Sequence, residues 1–395
     1  MLYQNLPFEK IWYGQNVVNN HLVEKINKYQ AKKLLVVSTH SLINKDLYHS
    51  LLKTLKHFQV FVHESKQHVP VKTLFNRLKE IRTFSPDLIV SLGGGSSIDT
   101  AKILSLMLST DISLVDDLLS NALNGSQAHS FEKIEILIPH FSIPTTLSAA
   151  EFTSIAGLSH QGMKYVLSHK SLTPQQVFLD PSFSLETPIN FWVSTGIRAI
   201  DHAVETIYSP LDNPINQALA LEALKYLFVY LPLSLENPGN LDYRMKCQLG
   251  AWMSLFSNVN IKMGLSHMIG HQLGSFYNIP HGITSAIMLP NVMEFLQPIT
   301  LNEQAKIYNA LFEVDVTKDI GISNEEKAIK AATSVRELVK KLNIPNQLRD
   351  FNVTKESLSN VVNNIVLEVN SEKNHSLLQI SNLEEGLVAT LEKAW

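Results

Sequence analysis

The chain has 395 residues, with 33 Lys+Arg against 36 Asp+Glu and a formal net charge of −3, which argues against a general nucleic-acid binder. Its length favours two domains, and 45% hydrophobic against 17% charged residues exclude a disordered chain. One cysteine, Cys247, excludes an internal disulfide and a thiolate zinc cluster, and points to a reducing compartment.

The first 14 residues hold Glu9 and Lys10 and show no targeting signal. Residues 33–38, Lys33-Leu34-Leu35-Val36-Val37-Ser38, read as a short buried strand. Residues 58–62, 87–92, 134–138 and 176–180 read as four more, with helix-length segments such as 42–58 and 71–83 between them. Strands alternating with helices imply an α/β domain with a parallel, Rossmann-like sheet covered on both faces. After Asp180-Pro181 the character changes. From about Ser194 the pattern is helical, at 216–230, 241–258, 302–312, 325–342, 355–367 and 382–393. The boundary falls near 181–193, giving an N-terminal nucleotide-binding α/β domain (1–185) and an all-α C-terminal domain (186–395). The longest apolar stretch, 226–235, is too short to span a bilayer and contains Pro232. A soluble cytoplasmic protein with no membrane partner is expected.

Gly93-Gly94-Gly95-Ser96-Ser97-Ile98-Asp99-Thr100-Ala101-Lys102 follows the strand at 87–92 and opens a helix with apolar Ile98, Ala101, Ile103, Leu104 and Met107. Glycines let backbone approach a ligand, Ser96 or Ser97 can cap the helix, and free N–H groups there favour a phosphate. This is not G-x-G-x-x-G; alone it reads as a phosphate loop or a tight turn.

Any metal site must draw on His, Asp and Glu, and there are 15 histidines. His267 and His271 stand four apart and share a helix face, while His281 follows beyond a helix end. Arg198 and His202 are also four apart. Two helix-borne histidines and a loop histidine can hold a divalent metal with a position open for substrate. Taken singly, each reads as a structural or surface residue.

The order Gly93-Gly94-Gly95-Ser96, Pro144-Thr145-Thr146, Gly196…His202-Ala203-Val204-Glu205 and Gly264…His267…His271…His281-Gly282 strongly resembles the iron-containing alcohol dehydrogenase superfamily across almost the whole chain. The resemblance implies an NAD(P)-dependent oxidoreductase, with NAD(H) or NADP(H) in the cleft between the domains, a small-molecule substrate and a homodimer. It places the cofactor's pyrophosphate at Gly93, Gly94, Gly95, Ser96 and Ser97, and sets Thr145, Thr146 and Ser148 at the cofactor. It puts His202, His267 and His281 on three of the family's four metal-ligand positions, for Fe or Zn, and His271 on a histidine near the nicotinamide.

Three departures are informative. Metal-dependent members carry Asp four residues before the first ligand histidine, where this chain has Arg198, which stays charged and cannot ligate. Asp201 sits about 100° around the helix from His202 and would serve on a distorted helix alone. The stretch 144–153 is one residue shorter than the common dehydrogenase form and matches the maleylacetate reductase branch. That branch works without a metal on a small unsaturated oxo-dicarboxylate. Val37-Ser38-Thr39 also resembles it, and Thr39 carries no charge to exclude a 2′-phosphate. Asp99 instead resembles the general family.

The expected activity is NAD(P)-dependent reduction of a small carbonyl or oxo-acid. Arg198 would clamp a substrate carboxylate or enolate oxygen, beside His202, with His271 as proton donor. Arg198 could instead pair with an acid such as Glu151. Three other readings stand beside this one. They are a metal-dependent dehydrogenase of a small alcohol or aldehyde, a sugar-phosphate cyclase, and a non-catalytic homologue kept as a binding or structural dimer. No Lys/Arg phosphate cluster near 267–281 supports the cyclase.

Overall fold

Runs such as Leu34-Leu35-Val36-Val37 are apolar on both strand faces, and such a strand belongs inside a parallel sheet. The computed structural model describes residues 3–120, 137–211, 213–314, 321–371, 380 and 382–395. Its strands are β1 (Lys10–Tyr13), β2 (Lys33–Thr39), β3 (Gln59–Ser65), β4 (Leu88–Gly93), β5 (His140–Pro144), β6 (Ile155–His160), β7 (Met163–Ser168) and β8 (Gln176–Leu179). Six of them form one sheet in the order β1-β8-β5-β4-β2-β3, every pairing parallel. β6 and β7 form a separate antiparallel hairpin.

Successive residues of β2 and β4 point to opposite layers. Leu34, Val36, Leu88 and Val90 pack with Val18, Leu22 and Ile26 of α1 (Val17–Lys28). Leu35, Val37 and Ile89 pack with Ala101, Leu104 and Met107 of α2 (Gly95–Leu108).

Four strands lie close to their predicted places. The predicted strand at 134–138 is corrected. Residues 134–136 lie outside the described residues, and the strand is His140–Pro144. His140-Phe141-Ser142 does not read as an apolar run, yet it lies in the core with His140 Nε2 and Ser142 Oγ paired across the sheet. His140 Nε2 lies 2.7 Å from Ser91 Oγ, which donates to Ser142 Oγ at 3.2 Å. Polar groups satisfied in this way can sit in a core. β1 is a further addition, too short at four residues for a pattern to show. The predicted helices at 42–58 and 71–83 are each two short helices, His40–Ile43 with Asp46–Thr54 and Val71–Asn76 with Leu78–Phe84.

Beyond β8 the described residues hold no strand. The helices are α3 (Ile189–Ile207), α4 (Pro214–Glu236), α5 (Leu265–Tyr277), α6 (His281–Leu311), kinked at Thr300, α7 (Asn324–Lys341), α8 (Leu358–Ser371) and α9 (Leu383–Ala394), with a further helix at Leu241–Ser254. Pro232 does not interrupt α4, which is long and apolar enough by length and composition to cross a membrane. Its Ala220, Ala223, Leu224, Leu227 and Leu231 are buried in the protein. Gln4–Pro188 with Gly239–Gln248 is one compact unit, and Ile189–Pro238 with Leu249–Trp395 is another.

β3 buries His63 at 2% exposure, with neither ring nitrogen hydrogen-bonded. Burial, reinforced by the charge of Arg77, pushes its pKa down to about 4. An unfolded histidine titrates near 6.5. Between those values the unfolded chain binds more protons, so stability is full above pH 6.5 and is lost as pH falls toward 4. At pH 5 the loss is about 2 kcal/mol. A His63→Leu variant is expected to lose correspondingly less stability between pH 7 and pH 5, read from urea midpoints.

Candidate active site

The chain leaves β2 toward β3 on one side and β4 toward β5 on the other, so the neighbouring ends of β2 and β4 form a topological switch point. Ligands of open α/β sheets bind at the carboxyl ends of strands at such a point. Here those ends carry Thr39 and the glycine turn. Gly93 has φ +149°, and a Cβ there would lie 2.5 Å from Ser97 Oγ, so glycine is required. The N-cap of α2 is Gly94, with no side-chain cap. The capping expected of Ser96 or Ser97 does not occur. Ser97 Oγ pairs with Ser65 Oγ at 2.9 Å, and Ser96 Oγ accepts from the His68 N–H at 3.3 Å.

Thr145 N–H donates to the Gly93 carbonyl at 3.0 Å. The hydroxyls of Thr146 and Ser148 are buried without partners. A Cβ on Gly94 would meet Thr146 Cγ2 at 2.9 Å, and one on Gly95 would meet Ser148 Oγ at 3.5 Å. Orphaned hydroxyls beside bare backbone at a helix N-terminus fit a pyrophosphate. Thr39 Oγ1 pairs with Ser41 Oγ at 3.0 Å. The acid at this end of the sheet is Glu64 of β3, 3.2 Å from His40 Nδ1 and 2.5 Å from Lys66 Nζ.

Lys102 of the glycine motif lies on α2. It is fully buried, and its Nζ lies 2.7–2.9 Å from the carbonyls of Ala150, Thr153 and Ile155 and from Thr153 Oγ1. It ties α2 to the segment after Thr146 and Ser148. Burial lowers its pKa to about 8, against the pull of Asp99 and Glu151.

The second group of residues is built on α3, α5 and α6. Arg198, Asp201, His202 and Glu205 recur at a spacing that keeps them on one side of α3. Asp201, His202 and Glu205 are buried on an otherwise apolar helix, and the Arg198 side chain is 11% exposed. α6 begins at His281, and a Cβ on Gly282 would overlap the Ser194 carbonyl of α3. That close approach sets His281 and Ser285 against α3. The His202 and His267 rings lie 5.1 Å apart, His267 and His271 6.5 Å, and His271 and His281 5.4 Å. The structure therefore brings all four predicted histidines together, and of the four His271 is the exposed one.

Arg198 Nη1 donates to Asp201 Oδ2 at 3.3 Å and to Ser285 Oγ at 3.1 Å, and Ser285 Oγ donates to Asp201 Oδ2 at 2.5 Å. Asp201 reaches these partners, and comes within 3.7 Å of His267 Nδ1, from a regular helix. No distortion is needed, because residues three apart share a face with Arg198. Glu205 stands three residues after His202 on the same helix. Its carboxylate accepts from the N–H groups of Gly264 (2.7 Å) and Ser266 (2.6 Å) at the start of α5, and from His267 Nδ1 (2.6 Å). The signal for it lay in the sequence, as a fourth charged or polar residue in the 198, 201, 202, 205 stripe.

The family model for iron-containing alcohol dehydrogenase matches residues 9–181, and that for the C-terminal part of the family matches 192–395. The chain belongs to the iron-containing alcohol dehydrogenase family. It is an oxidoreductase, as its motifs led one to expect. Dehydrogenase FUM7 from Gibberella moniliformis is 38% identical over 58% of each chain, so the alignment spans less than two thirds of that relative. Maleylacetate reductase 2 from Cupriavidus pinatubonensis is 29% identical over 73% of this chain and 72% of its own. An alcohol dehydrogenase from Oenococcus oeni superposes with a TM-score of 0.87 over the whole of both chains, at 22% identity, a likeness that establishes the fold alone.

The family's name implies a metal, and the donor set here does not suit one. Asp201, Glu205 and His267 bring donor atoms within 4.8 Å of one another. Their facing atoms are already spent: Asp201 Oδ2 on Arg198 and Ser285, both Glu205 oxygens on N–H donors, and His267 Nδ1 on Glu205. His202 Nδ1 and His267 Nε2 remain buried without partners. The guanidinium charge reaches both rings. Burial first, and for His202 the neighbouring His267 before Arg198, hold both histidines neutral, with His202 well below its usual range and His267 down at about 3. A divalent ion on those nitrogens would meet a fixed positive charge in a dry site. Burial raises Glu205 to about 7, opposed by its backbone donors and Arg198, and also raises Asp201.

Glu205→Ala strands three buried donors and is expected to cost on the order of 3 kcal/mol, measured as a denaturant midpoint. Gly94→Ala is expected to raise the KM for the nicotinamide cofactor by about tenfold to a hundredfold, with kcat at saturating cofactor much less affected.

Proposed function

We propose that the protein reduces a small carbonyl compound, favouring an oxo-acid, with NADH or NADPH, in the manner of the maleylacetate reductases. The observation that carries this reading is the Arg198 guanidinium close to His202 and His267. Nη1 is held by Asp201 and Ser285, while Nε and Nη2 make no hydrogen bond among the described residues, and the side chain retains 11% exposure. A fork pinned on one arm and open on the other suits a carboxylate or a developing oxyanion.

Gly93, Gly94, Gly95, Thr145, Thr146 and Ser148 would hold the dinucleotide. When bound, it supplies the hydride. Arg198 then orients the substrate and offsets the negative charge that grows on oxygen as hydride reaches carbon. His271, the exposed ring, delivers the proton that completes the alcohol. His202, buried and neutral, lines the site as a polar wall. A homodimer in the cytoplasm is the setting proposed.

A second reading, a metal-dependent dehydrogenase of a small alcohol, draws on the unpartnered His202 Nδ1 and His267 Nε2. A panel of aldehydes and oxo-dicarboxylates, run with both cofactors and with or without added Fe²⁺ or Zn²⁺, separates the two. Oxo-acid reduction insensitive to chelator is expected. Turnover confined to uncharged aldehydes and abolished by chelator would favour the second. Arg198→Ala is expected to lower kcat/KM for oxo-acids by about a hundredfold, with a much smaller loss on an uncharged aldehyde.

A further inference from the structure

We propose that Arg198, fixed by Asp201 and Ser285, is a resident cation standing in for a divalent ion, and that the surrounding histidines are a latent metal site which this chain keeps closed. The inference does not depend on which carbonyl compound is reduced.

A Cβ on Gly270 would lie 3.8 Å from Arg198 Nη1 and 2.9 Å from Thr284 Oγ1. The guanidinium therefore lies over bare backbone of α5 and beside Ser285 of α6. It occupies the meeting point of α3, α5 and α6, the helices that carry His202, His267 with His271, and His281.

Two acids, Asp201 and Glu205, are buried on α3 at 0% and 2% exposure. Buried acids need a cation or several hydrogen bonds. Glu205 has three N–H donors. Asp201 has Arg198 and one hydroxyl, and its Oδ1 has no partner. Arg198 is thus the counter-ion of Asp201, and Asp201 keeps Arg198 where a second cation is repelled. The two residues make sense together: an arginine cannot ligate, and the acid stands three residues later, where it neutralises the arginine.

Arg198, Ser285 and Asp201 form a complete triangle of hydrogen bonds. A metal entering among the histidines would have to break it or sit beside the guanidinium.

The test compares the full-length native protein with the double variant Arg198→Asp/Asp201→Ala. Both are stripped with chelator, loaded with Zn²⁺ or Co²⁺, and desalted. Metal per chain is measured by mass spectrometry, and Co²⁺ also by its visible absorption. The native protein is expected to retain almost no metal. The folded double variant is expected to retain about one ion per chain, lost on a further His267→Ala change. Stoichiometric metal in the native protein, removed by His202→Ala or His267→Ala, would overturn the proposal. So would a double variant with native-like circular dichroism that binds no more metal than the native protein. Should the double variant fail to fold, the native protein's melting temperature with and without Zn²⁺ decides. No rise that His267→Ala abolishes is expected, and such a rise overturns the idea. Oxo-acid turnover is not read in any arm, so failure of the reductase reading leaves a separate signature.

Discussion

The helical unit is organised around charge that has been taken out of water. α3 is apolar along most of its length, yet it carries Arg198, Asp201 and Glu205 inward. Each has to be matched locally, because an unmatched charge in such a place costs several kcal/mol. Glu205 is matched by the first N–H groups of α5 and by His267, so one carboxylate caps a helix and fixes the tautomer and orientation of a histidine. Arg198 and Asp201 match each other, with Ser285 of α6 closing the set. The relative placement of α3, α5 and α6 follows from these pairings together with the close approach at Gly282. The four histidines come together as a result.

In the α/β unit the corresponding constraint is backbone rather than charge. The sheet order creates a switch point, and Gly93 ends β4 in a conformation that other residues rarely adopt. The segment carrying Thr146 and Ser148 approaches the bare glycines and is tied to α2 through buried Lys102. A lysine ammonium surrounded by carbonyls holds a loop as a cap holds a helix end. It leaves the hydroxyls of Thr146 and Ser148 without protein partners.

Much of this was legible in the sequence. Apolar runs of strand length with helices between them placed β2, β3, β4 and β8, because a strand buried on both faces has little choice of residue. β5 was displaced because His140 and Ser142 are polar, and their satisfaction by Ser91 is a long-range fact that no local window contains. The glycine turn is readable as a loop, but Ser96 and Ser97 do not cap the helix, because their hydroxyls bond to His68 and Ser65 from β3 and beyond, partners that no local window contains. The histidine cluster was readable from spacing and resemblance. The partners of Arg198 are less legible, since Ser285 is 87 positions away and Asp201 shares a face with Arg198 rather than with His202.

The glycine turn and the polar stripe of α3 belong to different compact units. Substitutions that trade one charge arrangement for another at positions 198 and 201 can therefore be absorbed among α3, α5 and α6, without repacking the sheet that carries Gly93 or the loop that Lys102 secures. Such modularity separates the glycine turn from the charge arrangement of α3. It also means that retention of the glycine turn in a homologue says little about what that homologue reduces.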